Sequence, residues 1–391
     1  MIQRSFEASL HKLDADHLRR TLHLVKTACG PVMNYDGRMV VQFASNDYLG
    51  LANHPAVKQA ACAAIADYGV GAGASRLISG SLLPHHELEA ALADFKGTEA
   101  GLVWTSGYVA NLGLIPALVD SRGLILADRL SHASLIDGCR LSRAQLRVFH
   151  HNDPEHVRRL LRKRRPSQPA LIVTEGVFSM DGDLAPLGEL TALAQEYGAL
   201  LFVDDAHGTG VMGAHGRGTA EHWGVDPGLL IQMGTLSKAL GSVGGYTVGS
   251  RTYIEYLVNV CRSVMYSTAP LPAASAAARA ALQLVREDRE RRIRLWRNRE
   301  ILYQGVKQLG FEVTATQSPI LPILLREPGL AVEMSRLLLE RGIYIPAIRP
   351  PTVPKGTSRL RLTVTSEHTP EHLRAALEAL AHIGRAMNML S

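Results

Sequence analysis

A lysine, Lys238, stands in the segment Gly234-Thr235-Leu236-Ser237-Lys238-Ala239-Leu240-Gly241-Ser242-Val243-Gly244-Gly245, directly after a short apolar run. A lysine in a solvated loop has no need of such small neighbours, whereas glycines let a bulky ligand come close to the backbone. Earlier in the chain, the apolar run Leu201-Phe202-Val203 leads into Asp204-Asp205-Ala206-His207-Gly208-Thr209-Gly210. An acid at a strand end can hold magnesium, cap a helix or face a cationic ring nitrogen. An amine and an acid placed at the ends of two successive apolar runs favour a lysine that forms a Schiff base.

Three further segments have the same strand-then-turn form. Trp104-Thr105-Ser106-Gly107-Tyr108 opens a helix, whose free backbone N–H groups can cradle a phosphate. Asp128-Arg129-Leu130-Ser131-His132 offers His132 as a cap, a base or a flat surface for an aromatic cofactor. In Thr174-Glu175-Gly176-Val177-Phe178-Ser179, the hydroxyl of Ser179 can donate to a ring oxygen. Taken singly, each is more often structural than functional.

The elements that must position these groups follow from hydrophobic patterning. Apolar runs at Gly101–Thr105, Gly123–Ala127, Leu171–Thr174, Leu200–Asp204, Leu229–Gly234 and Tyr246–Val248 alternate with amphipathic stretches such as Glu155–Lys163 and Pro186–Tyr197. This order predicts a mostly parallel sheet covered by helices, with ligands beyond the carboxyl ends of its strands. Met1 to about Val25 reads as a helical arm. A long helical stretch from about Pro270 to Gly310 leads to a smaller α+β unit, with strands at Ile320–Leu325 and Arg359–Thr363 and helices at Ala331–Arg341 and from Pro370 to about Met387. The expected division is an arm over 1–40, a large domain over 41–270 and a connecting helix with a closing domain over 271–391.

Composition narrows the classes. With 46% hydrophobic and 20% charged residues among 391, the chain reads as a soluble globular protein with a substantial core. Much of the net charge of +6 sits between Arg158 and Arg165. Without interleaved aromatics that run reads as a solvated helix face rather than a nucleic-acid site. Cys29, Cys62, Cys139 and Cys261 are widely spaced, so neither a zinc site nor a disulfide framework is expected, nor any other metal. The N-terminal residues have no signal-peptide pattern and no run is long enough to span a membrane, which points to the cytoplasm.

Ser45-Asn46-Asp47-Tyr48-Leu49-Gly50-Leu51, Gly73-Ala74-Ser75-Arg76-Leu77-Ile78-Ser79-Gly80, Asp204–Gly210 and Thr235–Gly241 together resemble the α-oxoamine synthases, across nearly the whole chain. The resemblance implies the PLP-dependent transferase fold type I (aspartate-aminotransferase-like): a mostly parallel central sheet with helices on both faces, a smaller α+β C-terminal domain and an N-terminal helical arm. It also implies pyridoxal phosphate (PLP) as cofactor and a homodimer with a shared active site. By the same resemblance, Lys238 carries the cofactor and acts as base. Asp204 pairs with the ring nitrogen, His132 stacks on the ring, and His207 and Ser179 contact its O3′ region. Gly107, Tyr108 and Thr235 hold the phosphate, while Ser267 and Thr268 reach the phosphate of the neighbouring subunit. Arg361 clamps the substrate carboxylate with help from Asn46, and Arg19, Arg349 and Thr352 match substrate contacts. Arg359, two residues from Arg361, is expected on the other side of its strand. Ser237 replaces the glycine of many relatives, a change expected to matter little.

Asp204-Asp205-Ala206-His207-Gly208-Thr209-Gly210 and Ile348-Arg349-Pro350-Pro351-Thr352-Val353-Pro354 are similar to the branch that makes 8-amino-7-oxononanoate from L-alanine and a pimeloyl thioester, on coenzyme A or acyl carrier protein, for biotin synthesis. The alternatives are the 2-amino-3-ketobutyrate branch, another condensing branch, or an inactive scaffold subunit of the same fold.

Overall fold

The computed structural model describes residues 2–314 and 316–390, with the side chains of residues 2–4 left out. The chain forms two compact units, one of Met1–Gly50, Met180–Asp183 and Ile293–Ser391, the other of Leu51–Ser179 and Leu184–Arg292. In chain order the first unit begins with α1 (Ile2–Ala15), β1 (Val32–Tyr35) and β2 (Arg38–Gln42). The second unit follows with α2 (Pro55–Tyr68), α3 (Leu83–Lys96), β3 (Ala100–Trp104), α4 (Gly107–Leu118), β4 (Leu124–Asp128), α5 (Ala133–Leu141), β5 (Gln145–Phe149), α6 (Pro154–Arg162) and β6 (Ala170–Glu175). It continues with α7 (Leu187–Tyr197), β7 (Leu200–Asp204), α8 (Thr219–Trp223), β8 (Ile231–Thr235), β9 (Gly245–Gly249), α9 (Arg251–Val260), α10 (Arg262–Met265) and α11 (Pro272–Glu287). The unit boundary then falls within α12 (Arg289–Gln308), and the first unit resumes with β10 (Ile320–Arg326), α13 (Pro328–Glu340), β11 (Ile343–Tyr344), β12 (Ala347–Ile348), β13 (Ser358–Thr363) and α14 (Pro370–Ala386).

The second unit is built on a seven-stranded sheet in the order β3-β9-β8-β7-β6-β4-β5. Every pairing from β8 to β5 is parallel, and only β9 is reversed against both of its neighbours. Alternate residues of the central strands enter two different cores. Ile125, Ala127, Leu171 and Val173 join one cluster, whereas Leu124, Leu126, Ala170 and Ile172 join the other. A strand buried on both faces has no polar side, which is why these segments read as unbroken apolar runs. Edge strand β5 departs from that pattern: Gln145, Arg147 and Val148 are exposed, and the sequence reading missed it.

Two expectations need correction. The arm is helical only to Ala15. His17 adopts a positive φ of 53°, and Val25 bridges Tyr35 instead of continuing a helix. The stretch from Pro270 to Gly310 is two helices, α11 and α12, parted at Asp288, whose ψ of 79° leaves the helical region. The basic run is held on the protein surface: Arg158 pairs with Glu155 and Glu196, and Arg162 donates to the Tyr197 hydroxyl. Among the described residues, no helix is long and apolar enough to cross a membrane.

Candidate active site

Five parallel strands of the second unit end at one cleft of about 230 Å³. From β3 come Ser106, Gly107 and Tyr108; from β4, His132 and Ser134; from β6, Glu175 and Ser179; from β7, Asp204, Ala206 and His207; from β8, Thr235, Ser237 and Lys238. Asn111 and Met233 complete the lining. Parallel strands end on the same side, so chain turns distant in sequence converge there.

Each turn is fixed locally. Ser106 caps α4, its hydroxyl accepting from Val109 N, and leaves the first N–H groups of that helix beside the cleft. The Nδ1 of His132 accepts from Ser134 N and so caps α5, which puts the proton of the neutral ring on Nε2. Burial is the main cause holding the His132 pKa below its usual value, opposed by Asp204 and aided by Lys238. Asp204 is oriented from two sides: Oδ1 accepts from Ala206 N at 3.0 Å, and Oδ2 from Asn111 Nδ2 at 2.9 Å. Behind it, the buried Nζ of Lys96 lies 2.8 Å from Asp205 Oδ2 and donates to Arg217 O, while Thr219 donates to Asp205 Oδ1.

Glu175 was missed as a site residue. It is 3% exposed, and Oε1 accepts the His132 backbone N–H at 2.6 Å. Burial, with the nearby Asp204 charge, pushes its pKa up to about 8, against Lys238 and the N–H groups of His132 and Ser179. It ends an apolar strand as Asp204 does, so the same signal was present in the sequence. Asn111 carried no such signal, because its contact with Asp204 spans 93 positions.

The glycines after Lys238 have a different explanation from the one expected. A Cβ at Gly245 would lie 2.8 Å from Gly107 N, so close packing of protein backbone demands glycine there. Ser237 is also engaged: its hydroxyl lies 2.7 Å from Thr235 Oγ1, which donates to Gly244 O. Ser267 and Thr268 lie outside the lining of this cleft, and Thr268 bridges Ser75.

The remaining expected residues belong to the first unit. Both terminal nitrogens of Arg361 donate to Asn46 Oδ1 at 3.2 Å, and Nη1 also donates to Thr363. Arg359 pairs with Asp181 and donates to Met180 O. A spacing of two is one full pleat, so Arg359 and Arg361 leave the same face of β13 and part along its length, not across it. Arg349 donates to His17 O and Arg19 O, and Thr352 N donates to Arg349 O, so these three expected contacts share one loop cluster.

The second-unit cleft thus gathers an amine, an oriented carboxylate, an imidazole and a helix N-terminus. That donor set fits a phosphorylated pyridine aldehyde. The model of the aminotransferase class I and II family matches residues 38–380. The chain is 48% identical over 389 residues to 8-amino-7-oxononanoate synthase of Geobacter sulfurreducens, covering 99% of this chain and 100% of that one. It is 44% identical to the enzyme of that name from Thermoanaerobacter pseudethanolicus, over 97% of each. Among solved structures, serine palmitoyltransferase from S. paucimobilis with a bound PLP–myriocin aldimine matches with a TM-score of 0.94 at 33% identity, covering 99% of this chain and 98% of that one. The 8-amino-7-oxononanoate synthase of Francisella tularensis matches with a TM-score of 0.77 at 29% identity, covering 89% and 99%. The chain belongs to the aminotransferase class I and II family, within the group of the 8-amino-7-oxononanoate synthases.

Proposed function

We propose that this protein is a PLP enzyme that condenses L-alanine with a pimeloyl thioester, releasing carbon dioxide and forming 8-amino-7-oxononanoate for biotin synthesis. The observation that carries the reading is the end-to-end identity to relatives of that name. The convergence of Lys238, Asp204 and His132 in one cleft supports it.

When bound, PLP supplies an aldehyde carbon for an amine and a ring that draws electrons from the substrate Cα. Lys238 Nζ would hold the cofactor and, once alanine replaces it there, would take the Cα proton and return one to the product carbon. Asp204, fixed by Asn111 and Ala206, would keep a proton on the ring nitrogen. His132, held neutral by burial, would pack against the ring face. His207 and Ser179, both in the cleft lining, would donate to the ring oxygen. Gly107 and Tyr108 would offer backbone N–H groups to the phosphate, and Thr235 its hydroxyl on turning from Gly244 O. Arg361 and Asn46 bind the alanine carboxylate, while Arg19, Arg349 and Thr352 serve the acyl substrate.

A homodimer belongs to the same reading, with Ser267 and Thr268 completing the phosphate site of the neighbouring subunit. Their position outside the cleft of their own chain supports this. So does the exposure of Phe6, Leu77, Ile78 and Tyr266. The working compartment is the cytoplasm, where Cys29, Cys62, Cys139 and Cys261 remain thiols.

A second reading, serine with a long-chain acyl thioester, draws on the fold match to serine palmitoyltransferase, at lower identity than the relatives above. The test is a matrix of alanine, glycine and serine against pimeloyl-, acetyl-, succinyl- and palmitoyl-CoA, read by release of free thiol. Alanine with pimeloyl-CoA is expected to be fastest. Preference for glycine with acetyl-CoA, or serine with palmitoyl-CoA, overturns the reading.

A further inference from the structure

A second cleft, of about 160 Å³, lies in the larger unit and shares no residue with the first. Its lining includes His215, Arg217, Arg286, Arg289 and Arg292 against a single acid, Asp94. Asp94 is taken by Arg286 at 2.7 Å, and Arg286 also covers the ring of Phe95. Glu221, which faces the loop from behind, accepts from His215 and Arg217 backbone N–H groups and from His215 Nδ1. Among the described residues, no carboxylate pairs with the guanidinium of Arg217 or Arg289.

Arg292 makes the imbalance costly. It is 6% exposed, and its donors go to neutral carbonyls, Val285 O at 2.6 Å and Ala214 O at 3.2 Å. A buried charge without a counter-ion is normally avoided. Burial lowers its pKa, aided by the neighbouring Arg289, and the charges of Glu221 and, more weakly, Asp288 act the other way. The loop is shaped to lie over this side chain: Gly216 has φ +77°, and a Cβ there would sit 3.2 Å from Arg292 Cδ. The first turn of α12 also carries Arg289, Arg291 and Arg292 with one acid, Glu290, while Asp288, immediately before it, is taken by Arg291 at 3.0 Å. Cations at a helix N-terminus oppose the helix dipole, and an anion there relieves both the dipole and the buried guanidinium.

We propose that the cleft lined by Arg217, Arg286, Arg289 and Arg292 is a binding site for a phosphate-class oxyanion, separate from the reaction cleft. Guanidinium forks bind phosphate oxygens in pairs, and the three not paired with Asp94, those of Arg217, Arg289 and Arg292, favour a multivalent phosphate over a carboxylate.

The test uses PLP-loaded enzyme in phosphate-free, low-salt buffer, so that the cofactor fills its own phosphate cradle, with calorimetric titration of inorganic pyrophosphate and, separately, citrate. One saturable pyrophosphate per chain is expected, with citrate weaker. In the double variant Arg217→Gln, Arg289→Gln, both exposed positions, the Kd should rise at least tenfold, while Arg158→Gln and Arg162→Gln on α6 leave it unchanged. The proposal is overturned if pyrophosphate gives no saturable heat, if the double variant binds as the parent does, or if citrate binds more tightly.

Discussion

The strand ends of the larger unit and the middle of β13 in the smaller one solve the problem of burying charge in opposite ways. At the strand ends, Glu175 and Asp204 lie close enough for one to raise the pKa of the other, and His132 is held neutral beside them. On β13, Arg359 meets Asp181, and Arg361 is held by Asn46 and Thr363. The first region keeps its groups in tension, as acid–base chemistry requires. The second satisfies them on a rigid strand, which suits a group that must bind without changing protonation.

The hardest blow to the first region is removal of its amine. Lys238→Ala should lower turnover of alanine and pimeloyl-CoA by roughly a thousandfold or more, since both attachment and proton transfer are lost. Free-thiol release measures this, and near-normal turnover would refute the role. Next comes the buried layer behind Asp204. Lys96→Ala removes the cation beside Asp205 and leaves its charge to the neutral donors Thr209 and Thr219, and the Lys96 and Asp205 side chains are at most 2% exposed. Loss of one buried partner costs about 3–5 kcal/mol, which thermal denaturation should show as a clear fall in Tm. An unchanged Tm would mean that the Thr209 and Thr219 donors carry the Asp205 charge without Lys96.

How far these regions could be read from sequence depends on the distance over which each is specified. β4, β6 and β7 were legible because strands buried on both faces are locally apolar, and Lys238, Asp204 and His132 follow directly from such runs. β5 was not, because an edge strand keeps polar residues facing water. The Asn111–Asp204 and Lys96–Asp205 contacts depend on strand order, which no local pattern carries. Glu175 was visible in type and place, but its significance lies in two neighbours supplied by β4 and β7. The break at Asp288 was hidden by good helix formers on both sides.

The second region should fail more gently. Arg361→Ala removes a fork without touching proton transfer, so the KM for alanine should rise about tenfold to a hundredfold, or roughly 1.4–2.7 kcal/mol, with a smaller change in kcat. Arg361→Lys should recover part of the loss. A variant in which kcat falls and KM stays constant would move Arg361 from binding to the chemical step, and the contrast between the regions would be lost.

The last test sharpens the contrast most, because it needs no substrate. In the folded cofactor-free protein Glu175 holds its proton up to about pH 8, whereas its ordinary value is 4.5. Between those values the native state binds more protons than the unfolded state, so stability falls as pH rises and levels off above about 8. Glu175→Gln keeps the shape and an acceptor for the His132 N–H but cannot ionise. Its urea midpoint should therefore decline less between pH 5 and 8 than that of the parent. Parallel profiles would mean that Glu175 ionises normally and that its burial against Asp204 stores no electrostatic tension.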